Sequence, residues 1–412
     1  MFNEVISEGV RIPVKIWAKN LEDGARKQAI NLANMPCAFH HVSLMPDAHQ
    51  GYGMPIGGVL ALKNAVCPNA VGVDIGCGMI AIRTDVKAEA LKEMSVRRKF
   101  QQLAKSRIPV GEGHAHKDLQ EWNGFDEYAA EIDADPCHID WVSDTDRRNL
   151  GTLGGGNHFI ELQQDDSSDH FVWLMIHSGS RNLGKRIADH YNKIAFDLCT
   201  KFFVNLPDKD LAFLPTSTPE GESYIRAMNF ALKYARESRK RMMDAAFECL
   251  AHVCGELGVP CNEVFRHDIH HNYAVMENHF GENVWIHRKG ATSAKLGEVG
   301  IIPGSMGTAS YIVTGRGSEE SFCSCSHGSG RKMSRTDACY RLTVEECDKA
   351  MEGIVCDRWS KARLRGKKHE GADLYDLSEA PGAYKDIEEV IRAEEDLVDT
   401  EVRLTPLAVL KG

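Results

Sequence analysis

LGGGNHFIELQQDDSSDHFVWLMIHSGSR, residues 153–181, sets two short strands one after the other, 158–164 and 170–178, with only polar residues between them. Further strand signals follow the same form: GGVLALKN at 57–64, GMIAIRTDV at 78–86, NVWIHRK at 283–289 and ASYIVTG at 309–315, each bounded by glycine, proline or asparagine. Helical spacing is confined to other stretches. A short helix is predicted over 25–33, stopped by Met35-Pro36. Apolar positions from Ile225 to Val253 predict a long amphipathic helix or a helix pair over 222–257, with Met242-Met243 in its core face. A last helix is expected over 385–403, apolar at Ile387, Val390, Ile391, Leu397 and Val398 and acidic opposite. Strands that come in clusters, interrupted by helical insertions, predict an α+β fold and one large domain, not a doubly wound sheet.

The ends of these strands carry the chemistry. Asp74-Ile75-Gly76-Cys77-Gly78 places a carboxylate and a thiol three positions apart in a glycine-rich turn. His158 in GGGNHF, His177 in HSGSR, His271 in HHN and His327 in HGSG sit among small or polar residues, not apolar ones. Hard oxygen, soft sulfur and several imidazoles together predict a metal centre, and a thiolate has lone pairs enough to bridge two cations. Softness favours zinc, whereas carboxylate and water oxygen admit manganese, and spacing does not choose between them. Taken singly, Cys77 reads better as a buried small hydrophobe and Asp74 as a turn cap.

Around this set lie groups suited to phosphate. The glycines before Asn157 let backbone amides approach an anion. Arg181, at the end of a very apolar strand, offers a two-pronged cation, as do Arg331 and Arg335, which share a face if a helical turn begins at Arg331. Met45-Pro46-Asp47-Ala48-His49 offers a carboxylate and an imidazole two apart, and PGSMGTAS at 303–310 is either a ligand loop or a tight turn. His327 reads as a further metal ligand or as a nucleophile, since neutral imidazole does both.

Composition limits the alternatives. With 412 residues, 43% hydrophobic, the chain can bury a large core, and its net charge of −10 means that a polyanionic substrate must be met by a local patch or by metal ions. No apolar run reaches membrane-spanning length and no leader pattern opens the chain, so it reads as cytoplasmic. Thirteen scattered cysteines without CxxC pairs fit reduced core thiols. No GxxxxGK[ST] loop, GxGxxG fingerprint or K-x-D-G sequence is present, so a covalent nucleotide would need another residue.

The ordered motifs DIGCG, LGGGNHFIE, HSGSR, HHN, HRKGA, PGSMGTASY, SHGSGR with a following SR, and Lys411-Gly412 resemble the RtcB family of tRNA-splicing, 3′-phosphate RNA ligases over essentially the whole chain. That resemblance implies a single RtcB-type domain over 1–412, with mixed and antiparallel sheets around a metal-lined cleft and helices at the periphery. It implies joining of an RNA 3′-phosphate or 2′,3′-cyclic phosphate to a 5′-hydroxyl, using GTP and two manganese ions. By the same resemblance Cys77 bridges the ions, His158 and His177 complete one site, and Asp74 and His271 the other. His327 takes GMP, and Asn157, Phe159, Glu161, Asn272, Ser305, Ser310, Tyr384 and Lys411 bind the guanylate. Arg181, Arg331 and Arg335 contact phosphates, and Asp47 supports the metal region or the RNA end. RNA and GTP are the implied partners, with an archease-type activator, for a chain expected to act as a monomer.

RWSKARLRGKK at 358–368 holds six basic residues and Trp359, and reads either as an RNA-contact strip or as a solvated face. Two other functions remain at this level: a two-metal phosphoesterase or nuclease that consumes no nucleotide, and, less well matched to anionic metal ligands, a non-catalytic RNA-binding protein.

Overall fold

Strand pairing brings the ends of distant segments to one place. The computed structural model describes the chain except at residues 134, 136, 138 and 363–373. Among the described residues a seven-stranded sheet runs in the order Glu263–His270, Gly78–Lys87, Phe171–Ser178, Phe159–Asp165, Val398–Lys411, Ser310–Gly315, Val299–Ile302. Phe159 stands opposite both His177 and Lys411, and His177 is also opposite Met79. Three neighbouring strands therefore deliver the 74–78 turn, the 153–158 loop and residues 177–181 to one end of the sheet, and a fourth adds Lys411.

Alternation along these strands fixes the two faces. Ile80, Ile82, Ile160, Leu162, Leu174 and Ile176 pack against Met242, Met243, Ala246 and Leu250 of a helix, while Met79, Ala81, Phe159 and Met175 pack on the other face with Ile301, Ile312 and Leu404. Burying each such side chain contributes about 1.5–3 kcal/mol, so this core anchors the strand ends firmly.

A second sheet, six-stranded, has the order Glu4–Ile6, Val14–Ile16, Ala38–His49, Ile56–Leu62, Glu282–Lys289, Asn272–His279. Glu263–His270 and Asn272–His279 are edge strands of different sheets, and His271 is the single residue between them. Its backbone N–H donates to Cys77 O at 2.9 Å, which joins the sheets at the turn that carries the thiol.

The α+β class holds, with several departures in detail. The 222–257 segment is one helix, Pro219–Glu256, begun by the Thr218 hydroxyl that accepts from Gly221 N–H at 3.2 Å. The helix expected over 385–403 is only Ile387–Ala393; from Val398 the chain is a strand through Lys411. Acidic residues with good helix propensity masked that strand, but pairing on both edges satisfies its backbone, and Pro406, which lacks an N–H, falls at the register shift. The helix near the arginine pair starts at Arg335, so Arg331 lies outside it, in an isolated bridge to Tyr384. Arg363, Arg365, Lys367 and Lys368 of the basic strip lie outside the described residues. Trp359 is half-buried and donates its indole N–H to Asp348 at 2.8 Å.

Candidate metal centre and nucleotide cleft

Cys77, His158 and His177 are buried, and their donor atoms lie within 4.8 Å of one another. Cys77 Sγ is 3.2 Å from His177 Nε2 and 3.5 Å from His158 Nε2. Asp74 Oδ2 is 3.3 Å from His158 Nε2, and His271 Nε2 is 3.3 Å from His177 Nε2, so all five predicted ligands converge. Backbone carbonyls set the tautomers. His158 Nδ1 faces Leu153 O at 2.9 Å and His177 Nδ1 faces Asn157 O at 3.2 Å; a carbonyl only accepts, so each Nδ1 carries the proton and each Nε2 turns a lone pair inward.

This donor set fits a cation. Burial, reinforced by neighbouring histidines, holds His177 and His271 well below the usual imidazole range, leaving them neutral as ligands must be. Burial and the adjacent Asp74 push the Cys77 thiol well up, so a thiolate there needs a positive ion beside it. The Nδ1 of His271 is buried without a hydrogen-bond partner among the described residues.

Two glycines shape the turn. Gly76 has φ +78°, open to glycine at little cost, and a Cβ on Gly179 would lie 2.3 Å from Asp74 Oδ1. Behind the turn is a residue that the sequence did not single out. Arg239, fully buried in the long helix, donates to Gly76 O at 2.8 Å and Ser178 O at 3.0 Å, and pairs with Asp268 at 2.8 Å. One guanidinium thus ties the Asp74–Cys77 turn to the strand end after His177.

His327 faces the same region. Its ring centroid is 4.9 Å from that of His271, and its Nδ1 is 2.6 Å from Oδ2 of Asp47, which also accepts the His327 backbone N–H at 3.2 Å. Asp47 is fully buried, so the pair orients the ring and leaves Nε2 open. Glu394 takes the preceding amide: it is fully buried, accepts Ser326 N–H at 2.8 Å, and burial raises its acid to about 8.

A cleft of about 700 Å³ opens here, lined by Asn157, Phe159, His177, Ser305, His327, Arg331, Arg335, Tyr384 and Lys411 among others. Glu161 and Ser310 lie just behind its wall, both reached by Gln163 Nε2, at 2.7 and 3.3 Å. Burial raises the Glu161 acid to about 7 against the pull of Lys411 and Gln163. Asn272 does not line the cleft; it donates to Asp74 O at 3.1 Å and accepts from Gly290 N–H at 2.8 Å, bracing the turn against the 287–291 segment. Arg181 is likewise behind the wall, bonded to Thr152 at 3.1 Å.

The description "tRNA-splicing ligase RtcB" belongs to the family model that matches residues 28–412. The chain is 39% identical to the RNA-splicing ligase RtcB of Escherichia coli (strain K12) over 97% of both proteins. The chain belongs to the RtcB family. It is also 32% identical to the tRNA-splicing ligase RtcB of Pyrobaculum aerophilum over 98% of this chain and 95% of that one, and 31% identical to that of Thermococcus kodakarensis over the same shares. Membership in this RNA ligase family implies an RNA substrate for the chain. A larger groove of about 950 Å³ lies beside Trp122 and Tyr273, its cations paired with carboxylates: Arg226 with Asp135, Lys233 with Glu131, Arg236 with Asp268 and Lys240 with Asp244. Among the described residues no helix is long and apolar enough to cross a membrane.

Proposed function

We propose that this RtcB-family chain joins RNA 3′-phosphate or 2′,3′-cyclic phosphate ends to 5′-hydroxyl ends, with GTP as the GMP donor and two manganese ions per subunit. The observation that carries the reading is His327: a ring held at Nδ1 by a buried carboxylate and lining a cleft that it shares with His177 and with cations suited to phosphate. Cys77 would serve both ions, His158 and His177 one of them, and Asp74 and His271 the other. When bound, the ions would supply charge neutralisation to the triphosphate and its leaving pyrophosphate.

The Nε2 lone pair forms a bond to the α-phosphorus as the bond to pyrophosphate breaks. No proton leaves Nε2, and the positive charge that develops on the ring is met by Asp47. An oxygen of the RNA 3′-phosphate then displaces His327, and the 5′-hydroxyl displaces GMP. A cyclic phosphate is first opened by water. Asn157, Phe159, Glu161, Ser305, Ser310, Tyr384 and Lys411 would hold the guanylate, with Asn272 bracing from behind. Arg181, Arg331 and Arg335 would serve phosphates. The same reading includes one domain over 1–412, action as a monomer in the cytoplasm, an archease-type activator, and splicing or repair as the setting.

The test is adduct formation. Labelled GTP and manganese should leave GMP on the wild-type chain through an acid-labile P–N bond, and His327→Ala should carry none. Metal-dependent RNA hydrolysis without an adduct would replace this reading with a two-metal phosphoesterase.

A further inference from the structure

Behind the cleft wall stands a carboxylate that the family motifs did not draw attention to. Glu379 is 7% exposed and does not line the cleft, yet four groups that do line it meet at its oxygens. Arg335 Nε donates to Oε1 at 3.0 Å and Arg331 Nη1 to the same oxygen at 3.3 Å. The Tyr384 hydroxyl donates to Oε2, and Lys411 Nζ lies 3.8 Å from it. These groups arrive from separate pieces of chain: the residues at the start of the Arg335–Arg341 helix, the turn after Pro381, and the end of the Val398–Lys411 strand.

Their dependence on Glu379 differs. Arg331 also donates to Ser378 O at 2.6 Å and Met333 O at 3.2 Å, and its guanidinium sits 4.9 Å from the Tyr384 ring centre. Lys411 also reaches Asn157 O at 3.3 Å. For Arg335, Glu379 is the one hydrogen-bond acceptor found among the described residues. Burial pushes the Glu379 acid up, but Lys411, Arg335 and Arg331 outweigh this and hold it below the usual carboxylate range. Without that charge, three cations would face one another at the cleft with no carboxylate between them.

We propose that Glu379 is a positioning residue of the nucleotide cleft, an anionic hub that fixes Arg331, Arg335, Tyr384 and Lys411 at the spacing that receives a nucleoside triphosphate. The proposal rests on the cleft being the GTP site. A simple counter-ion and a positioning hub differ in sign. Removing a negative charge near bound polyphosphate favours its binding by Coulomb attraction alone, whereas releasing the guanidinium of Arg335 and loosening Lys411 removes aligned donors and weakens it.

The experiment measures the Kd by calorimetry on the full chain with manganese, using a GTP analogue whose α–β bridge does not cleave so that no adduct forms, for wild type, Glu379→Gln, Glu379→Asp, Arg335→Gln and the Glu379→Gln/Arg335→Gln double variant. Glu379→Gln should weaken binding by about tenfold or more with little change in melting temperature, and Glu379→Asp, which keeps the charge one methylene further back, should fall between it and wild type. Arg335→Gln should cost much in the wild-type background and less than about twofold once Glu379 is Gln, the non-additivity expected of residues that act together. Unchanged or tighter GTP binding by Glu379→Gln, or equal costs of Arg335→Gln in both backgrounds, overturns the hub. If Glu379→Gln does not fold, Glu379→Asp decides alone: weaker binding at a native melting temperature supports the hub and wild-type affinity overturns it. Adduct formation from GTP itself by the same wild-type sample separates the two readings. A chain that binds GTP without an adduct ends the ligation reading while the Kd comparison still decides Glu379, and a chain that binds no GTP ends both.

Discussion

Replacing Asp47 by asparagine isolates the charge behind His327. Asp47 Oδ2 accepts both the Nδ1–H and the backbone N–H of His327, so an amide oxygen should take its place and the ring tautomer should survive. What goes is the negative charge. A buried carboxylate about 4 Å from the centre of a ring that becomes cationic contributes up to about 4 kcal/mol at an effective dielectric near 20. The neutral hydrogen bond that remains retains about 1 kcal/mol. A net loss of about 2–4 kcal/mol corresponds to a fall of roughly 30- to 1000-fold in the rate constant for guanylylation. Asp47 does not line the cleft, so the GTP concentration at half-maximal rate should move little. Single-turnover labelling with GTP and manganese, resolved on a denaturing gel, measures both quantities. A rate within about threefold of wild type, or a loss confined to GTP affinity, would refute the argument that this carboxylate stabilises the charged ring.

Two other perturbations address the metal and guanine groups. Cys77→Ser replaces the shared sulfur with a hydroxyl that does not ionise near neutral pH, so manganese retained through gel filtration should fall to half the wild-type amount or less; full retention would show that the thiolate is not a ligand. Glu161 has its acid raised to about 7 by burial, and only its ionised form is purely an acceptor, so GTP affinity should strengthen as pH rises through about 7 in wild type and be weak and flat in Glu161→Gln. Parallel pH profiles for the two proteins would sink that role. Because the folded acid lies above its ordinary 4.5, burying Glu161 costs stability as pH rises from there to about 7, and Glu161→Gln should gain more in melting temperature over wild type at pH 7 than at pH 5.

Much of the sheet end was legible because each strand was short, apolar and closed by a glycine or asparagine. The 159–165 and 171–178 strands appear within a residue of their expected limits. The Val398–Lys411 strand did not declare itself, since Thr400, Glu401, Arg403 and Thr405 dilute its alternation and the acidic run before it favours a helix. Its place is decided by pairing with distant segments, one of which, 159–165, lies over two hundred residues away in sequence. The same distinction runs through the site. Asp74, Cys77, His158, His177 and His271 could be found as candidate ligands because such side chains are out of character with a local setting of glycine and small polar residues.

Residues that hold those ligands have no such mark. Arg239 lies in ESRKRMM and Glu379 in SEAPG, stretches that resemble a solvated helix face and an ordinary turn. Only the fold shows that each is buried with its charge matched by groups from several segments. An isolated buried charge costs several kcal/mol, so such residues persist only where the surrounding groups are already constrained to meet them. That cost makes Arg239 and Glu379 informative about function: Arg239 donates to Gly76 O and Ser178 O at the turn while Asp268 balances its charge, and Glu379 accepts from groups that line the cleft.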